Sequence, residues 1–256
     1  MAKFYVVWQG RKPGIYSDWN NCKAQVDGFA GARYKSFKTQ AEASAAFNNK
    51  PTVAGTGTRR SGAASKASAK PAKLTEAQIQ VQMKTAAMAI FCDGACDPNP
   101  GQAGTGMAVY RYGELTQCWY GLYNPMGTNN TAELLGLHHA LLMAQQHQGE
   151  DKVLIYSDSA YSINAVTQWA KGWQAKGWKR GANEPVKNLE IIKPLYELYL
   201  QVADRVIIAH VAGHAGIEGN ELADRMSVVA ITERESDLAQ YTPPLDINEI
   251  LALARG

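Results

Sequence analysis

Apolar and polar positions follow a clear periodicity in two regions of the chain and lose it between them. Over the first 48 residues the pattern predicts strands at Phe4–Gln9 and Arg33–Phe37, and Thr39-Gln-Ala-Glu42 has the form of a capping box opening a short helix over Ala41–Phe47. From Pro51 to about Thr85 the residues are mostly Gly, Ser, Thr, Ala, Lys and Pro, with almost no large apolar side chain before Leu74. That composition predicts a flexible linker over 50–85, with a root-mean-square span of roughly 30–36 Å and a transient helix at Thr75–Lys84. Beyond Ala86, strands are expected at Met88–Cys92, Gly106–Tyr112 and Leu115–Leu122, the last two joined as a hairpin, then at Val153–Tyr156 and Val206–His210. Helices are expected at Asn130–His147, Ser159–Trp173, Val186–Tyr199 and Ile217–Thr232. A meander followed by alternating strands and helices implies an α/β fold with a mixed sheet flanked by helices. After Asp237 come Pro243-Pro244 and then Leu245–Ala254, which reads as a short docking helix.

The resulting division is a small α+β module at 1–49, a basic linker at 50–85, an α/β body at 86–236 and a tail at 237–256. With 256 residues and 46% hydrophobic content, the chain has ample material for a buried core, so global disorder is excluded. No apolar run is long enough to span a bilayer and the start shows no signal peptide, so no membrane partner is expected. Four cysteines without Cys-x-x-Cys spacing suggest neither a disulfide scaffold nor zinc. The expectation is a cytoplasmic monomer with reduced thiols.

Charge divides the chain more sharply than its net +3 suggests. Residues 1–49 carry seven basic and three acidic side chains, residues 50–73 six basic and none acidic, and the remainder 13 basic and 20 acidic. A basic front joined to an acidic body suits a polyanion-binding module ahead of a different kind of site.

Within the acidic body, Asp93 follows the first strand, Glu133 lies in the first turn of the long helix, Asp158 ends the fourth strand, and Asp224 lies in the last long helix. Singly, each has an ordinary structural reading: a turn residue, the partner of an Asn130 cap, a helix cap and an exposed helix position. Jointly they differ, because Asp93 and Asp158 end strands that would be neighbours, and ligand sites gather at such strand ends. Two carboxylates about 4 Å apart repel by about 4 kcal/mol at an effective dielectric near 20, which cations must relieve. Oxygen ligands select Mg²⁺ or Mn²⁺, and a pair of such ions clamps the attacking and leaving oxygens in phosphodiester cleavage. His214, in the glycine-punctuated loop Gly213-His-Ala-Gly216, is placed to shuttle protons near Asp224. The stretch Gly101–Gly106 is no nucleotide-binding loop, since it lacks a following Lys-Ser/Thr and leads into a strand.

Asp93-Gly-Ala-Cys-Asp-Pro-Asn-Pro-Gly101, Thr128-Asn-Asn-Thr-Ala-Glu-Leu134, Ser157-Asp-Ser-Ala-Tyr161 and Gly213-His-Ala-Gly216 with Gly219-Asn-Glu-Leu-Ala-Asp224 together resemble type 1 ribonuclease H over about residues 87–235. The resemblance implies a five-stranded mixed sheet with helices on both faces. It also implies metal-dependent hydrolysis of the RNA strand of RNA/DNA hybrids, with two Mg²⁺ ions per site and 5′-phosphate and 3′-hydroxyl products. On it, Asp93, Glu133, Asp158 and Asp224 are the metal-binding acids and His214 a mobile histidine aiding product release. Asn99, Asn129 and Asn130 contact the hybrid and its 2′-hydroxyls, and Thr128 and Asn188 grip a phosphate of the DNA strand. Trp169 and Trp173, with Lys171, Lys176 and Lys179, fall in a basic protrusion that holds that strand, Trp169 nearest the DNA. Ala160 departs from a polar residue that contacts RNA in some members.

Lys3–Tyr16, Trp19-Asn-Asn-Cys22 and Ala32-Arg-Tyr-Lys-Ser-Phe37 resemble the hybrid-binding module found ahead of many such enzymes, a unit related to a plant-virus inclusion-body protein. It implies nucleic-acid contact by Tyr5, Trp19, Tyr34 and Lys35, with double-stranded RNA as a further ligand, and Phe4, Val6 and Phe37 as core. Ser36 stands where some relatives carry a second lysine. Tethering a hybrid-binding module to the catalytic body implies processive cleavage. Two other readings are a hybrid reader without cleavage and a transposase or integrase acting on DNA. The complete set of four acids speaks against the first, and the asparagines and front module against the second.

Overall fold

The structure is a computed structural model that describes residues 4–27, 29, 32–37, 39–48, 74–181 and 184–256. The linker expected over 50–73 lies outside the described residues. The chain divides into two units, Met1–Ser68 and Ala69–Gly256.

In the first unit, β1 (Phe4–Gln9) lies between β2 (Gly14–Tyr16) and β3 (Arg33–Phe37), antiparallel to both. Helix α1 (Trp19–Val26) starts at Asp18, whose carboxylate accepts from Asn21 N–H at 2.9 Å, and α2 (Gln40–Asn48) follows β3. Adjacent Val6 and Val7 are both fully buried because both faces of this small sheet are covered. Val7 packs with Cys22 and Val26 of α1, and on the other side Trp8 Nε1 donates to Ala46 O of α2 at 3.0 Å. The pattern did not reveal β2 or α1, whose apolar positions are too few to show a period.

The second unit opens with α3 (Glu76–Thr85), β4 (Ala89–Asp97), β5 (Gly101–Arg111), β6 (Glu114–Gly127), α4 (Asn129–Gln146) and β7 (Val153–Ser157). It continues through α5 (Ala160–Asn164), a π-helical stretch over Ala165–Trp169, α6 (Ala170–Ala175) and the short strands β8 (Lys179–Arg180) and β9 (Glu184–Pro185). Then come α7 (Leu189–Val202), β10 (Val206–His210), α8 (Glu218–Glu233), β11 (Leu238–Gln240) and α9 (Ile247–Leu251). The main sheet has the order β10-β7-β4-β5-β6-β11, with β10, β7 and β4 parallel and the rest antiparallel. Alternation along β4 divides two cores. Ile90 and Cys92 join Leu134, Leu137 and Leu141 of α4 and Ile192 and Leu195 of α7 on one face. Ala89 and Phe91 join Ile79 and Met83 of α3 and Leu222 and Met226 of α8 on the other.

Three expectations are corrected. The sheet has six strands rather than five, because residues just beyond the expected body boundary at 236 add β11 along the β6 edge. Residues 76–85 are a docked helix rather than flexible linker: Thr75 and Gln78 form a capping box, Ile79 and Met83 are buried, and Tyr156 donates its hydroxyl to Gln82 at 2.8 Å. The residues from 237 onward are not a separate tail: the expected docking helix forms as α9, with Ile250 buried against the α8 side, and together with β11 it belongs to the body. Strands β4 to β6 run longer than their apolar cores suggested, since the glycines and alanines of 94–106 carry backbone pairing without an apolar signature.

Replacing Ile79 with alanine empties a fully buried site, and large-to-small core changes of this kind cost about 2–5 kcal/mol. Thermal unfolding of the full chain is expected to show a lowered midpoint for the catalytic unit; an unchanged midpoint contradicts the docking of α3.

Candidate active site

Sheet register brings the first two acids together. Phe91 pairs with Tyr156 in the parallel β4–β7 ladder, so Asp158, two residues beyond Tyr156, reaches the level of Asp93, two residues beyond Phe91. Glu133 arrives at the start of the second turn of α4, not in its first turn as expected, because the helix begins at Asn129; α4 lies against β4 so closely that a Cβ on Gly94 would come within 2.5 Å of Glu133 N. Likewise α8 presses on β5, where a Cβ on Gly106 would lie 2.1 Å from Ala223 O, and this carries Asp224 to the same end of the sheet. Glycine is needed at both positions because any side chain would push the helix, and its acid, away.

The four acids act on one another. Asp93 is buried, and that burial followed by the charge of Asp158, with smaller contributions from Asp224 and Glu133, raises its pKa well above the carboxylate range. Burial, opposed by a hydrogen bond from Ser159 and reinforced by Asp158, pushes Glu133 up to about 6. Asp224 is raised by burial, an effect opposed by the Gly256 amide, Arg225 and His214. The ordinary structural readings of these residues do not hold. Thr128, not Asn130, caps α4, Ser159 rather than Asp158 caps α5, and Asp224 is only 4% exposed.

Each acid has a donor of its own. Gly94 N–H donates to Asp93 at 2.8 Å, Ser159 Oγ–H to Glu133, and Asn220 Nδ2–H to Asp158 at 3.3 Å. Asp224 accepts from Arg225 on Oδ2 and from Gly256 N–H on Oδ1 at 3.1 Å. Among the described residues, no three acidic, histidine or cysteine side chains are gathered closely enough to hold an ion as they stand. Repulsion and these separate donors account for that spacing. The donor set nevertheless suits hard divalent cations, since it is entirely carboxylate oxygen, with proton affinities of Asp93 and Glu133 raised first by burial and then by neighbouring acid charge. Asn220 Oδ1, buried without a protein partner beside Asp158, adds one more oxygen. Ser159, Asn220 and Arg225 lie within or beside the quoted motifs, but nothing in the spacing of those motifs gives them roles.

His214 is exposed, with φ +50°, on the loop before α8 and near enough for its charge to lower the Asp224 pKa. Asn99 and Asn130 are exposed, and Asn129 is half-buried with Oδ1 lacking a partner. A cleft of about 490 Å³ is lined by Asn130, Tyr161, Trp169, Trp173, Arg180 and Asn188, among others. Asn188, at φ +56°, donates to the Tyr161 hydroxyl at 3.2 Å, and the Tyr161, Trp169 and Trp173 rings follow at 6.1 and 5.6 Å. Thr128 lies outside this lining, its hydroxyl engaged with Thr131 in the α4 capping box. Lys171, Lys176 and Lys179 are exposed around the protrusion, while Trp178 turns inward against Tyr196 at 6.3 Å.

In the first unit Tyr5, Trp19 and Tyr34 form a continuous aromatic surface, with ring centroids 5.4 and 5.8 Å apart and Trp19 and Tyr34 exposed. Lys35 departs from the expected group. As the strand neighbour of Tyr34 it points to the opposite face, where its Nζ lies 5.7 Å from the Phe37 ring centre.

Comparison with known proteins agrees with both units. The RNase H family matches residues 85–232, and the family described as Ribonuclease H1 N-terminal domain matches residues 3–47. Ribonuclease H1 of Mus musculus is 31% identical over 256 residues, covering 89% of this chain and 88% of its own. Ribonuclease H1 of Homo sapiens is 33% identical over 254 residues, covering 88% and 87%. Ribonuclease H of Acidovorax sp. (strain JS42) is 41% identical over 139 residues, covering 54% and 90%. Among solved structures, LC9-RNase H1, a type 1 RNase H with the type 2 active-site motif, shares 25% identity at a TM-score of 0.52, covering 64% of this chain and 80% of that one. The chain belongs to the ribonuclease H family of enzymes, with a Ribonuclease H1 N-terminal domain preceding its catalytic unit.

Proposed function

We propose that this enzyme hydrolyses the RNA strand of RNA/DNA hybrids with two divalent ions, Mg²⁺ or in its place Mn²⁺, leaving 5′-phosphate and 3′-hydroxyl ends, and that its front module makes cleavage processive. The observation that supports this reading is that Asp93, Glu133, Asp158 and Asp224 lie at one end of the sheet, where burial and then the neighbouring acid charges raise the proton affinity of Asp93. Ions held by these four acids would activate water and stabilise the departing 3′ oxygen. Ser159 orients the Glu133 carboxylate and Asn220 that of Asp158, so both acids present fixed oxygens. His214, near Asp224, shuttles a proton and assists departure of product.

Binding of the substrate falls to three surfaces. Asn99, Asn129 and Asn130 read the 2′-hydroxyl with amides, which both donate and accept. The cleft around Trp169, Trp173 and Asn188 takes the DNA strand, sugars on the rings and a phosphate near Arg180 and Asn188. The Tyr5–Trp19–Tyr34 surface holds hybrid through the front module, and accepts double-stranded RNA by the same stacking. A second phosphate-binding role for Thr128 rests on its hydroxyl leaving the capping box.

Asp158→Asn keeps the side-chain shape and removes one charge. Cleavage of labelled hybrid is expected to fall by at least about a hundredfold, since even outer partners of metal ligands are worth about 10- to 100-fold. Hybrid binding should persist; a fully active variant overturns the assignment. Trp19→Ala in the full chain should weaken hybrid binding by about 1–3 kcal/mol, roughly 5- to 150-fold, and shorten runs of products from one encounter. Unchanged affinity and run length exclude the module from processivity.

Glu133 binds its proton more tightly in the fold, near 6, than at its ordinary 4.5, so protonation favours the folded, ion-free protein. Its contribution is fully present below about 4.5 and disappears as pH rises through about 6, a difference of about 2 kcal/mol. Melting with chelator across this window should show wild type losing stability relative to Glu133→Gln as pH rises; a constant difference contradicts the raised proton affinity.

A further inference from the structure

Asp224 differs from the other three acids in how completely its carboxylate is engaged. Oδ2 accepts from Arg225, a side chain 2% exposed, and Oδ1 accepts from the backbone N–H of Gly256 at 3.1 Å. The segment following α9 is held there by further contacts. Arg255 pairs with Glu221 at 3.5 Å, and Glu221 in turn accepts from Arg225 at 3.3 Å. Arg225 Nε also reaches Leu251 O at the end of α9, at 3.4 Å. A Cβ on Gly256 would lie 2.9 Å from that of Ala95, so the segment sits against β4 two residues beyond Asp93.

These donors address the same oxygen lone pairs that a dication would need. A guanidinium beside Asp224 also repels a cation approaching that carboxylate. The lack of any closely gathered set of three acids among the described residues agrees with an Asp224 turned toward Arg225 and Gly256. We propose that the segment 252–256 is a latch on the ion site: Gly256 and Arg255, acting with Arg225, hold Asp224 toward α9. Asp224 turns to complete the ion site when Gly256 releases it. Arg225 is the positioning residue shared by the two arrangements, because it touches Asp224, Glu221 and Leu251 at once. Ion binding and release of this segment are therefore coupled, each opposing the other.

This inference rests on the assignment of Asp224 as an ion ligand, and the test separates the two. Mn²⁺ binding to the full chain is measured by calorimetry without nucleic acid, for wild type, Gly256→Pro, Arg255→Ala and Asp224→Asn. Gly256→Pro removes the donating N–H without altering charge. It is expected to tighten Mn²⁺ binding by about threefold or more, since hydrogen bonds to charged groups are among the stronger ones. Arg255→Ala should shift affinity in the same direction, and Asp224→Asn should weaken it. Unchanged or weaker binding by Gly256→Pro, with Asp224→Asn still impaired, overturns the latch alone. Asp224→Asn binding Mn²⁺ as tightly as wild type overturns the ligand assignment and the latch with it.

Discussion

Repulsion between carboxylates confined at one end of a sheet is the constraint around which this enzyme is built. The β4–β7 register sets Asp93 beside Asp158, and two helices bring Glu133 and Asp224 to meet them. Burial in this cluster, with the neighbouring acid charges, disfavours the ionised form of Asp93 most strongly. The fold tolerates this in two ways. It raises proton affinities, as in Asp93 and Glu133, and it supplies each acid with a separate donor. Both remedies leave carboxylates that gain from a divalent cation, which is the condition under which a ribonuclease H works.

Closeness is what the surrounding structure has to deliver. Helices α4 and α8 reach the sheet only because Gly94 and Gly106 present bare backbone, so the acids sit on rigid elements packed at van der Waals distance. Both added helices pack on the α8 side of the sheet. Helix α3 seals the core beneath Phe91 and Tyr156, while α9 and the residues after it fold back to Arg225 and Asp224. Residues outside the four motifs thus reach the site chemistry directly.

The two aromatic surfaces, one in each unit, are supported differently. In the catalytic unit, Trp169 and Trp173 face a cleft that also holds Arg180 and Asn188, while Trp178 packs inward on Tyr196 and anchors the protrusion. The π-helical stretch over Ala165–Trp169 ends at the first of these rings, consistent with the tendency of π-bulges to occur at functional sites. In the front unit, a three-stranded sheet too small for a large core exposes Trp19 and Tyr34 beside Tyr5.

Periodicity by itself determined the larger part of the architecture: β1, β3 and β10 fall where the pattern puts them, and α4 and α8 within a residue at each end. Apart from β3, which is mostly exposed, these segments bury part of their surface, and a buried face leaves a regular trace in the order of residues. The motifs around Asp93, Glu133, Asp158 and Asp224 were legible only as a set, since each acid alone has an ordinary structural role and only their joint order and spacing along the chain points to chemistry. Tertiary structure alone decided the rest. The helix expected as transient at Thr75–Lys84 becomes fixed only because Ile79 and Met83 join the core, and β11 forms only because β6 supplies an edge for it. The face Lys35 occupies follows from its pairing with Val6, and the partners of Asp224 come from a residue 32 positions away along the chain. Such contacts depend on which distant backbone arrives at a given atom, and local order along a chain carries no record of that.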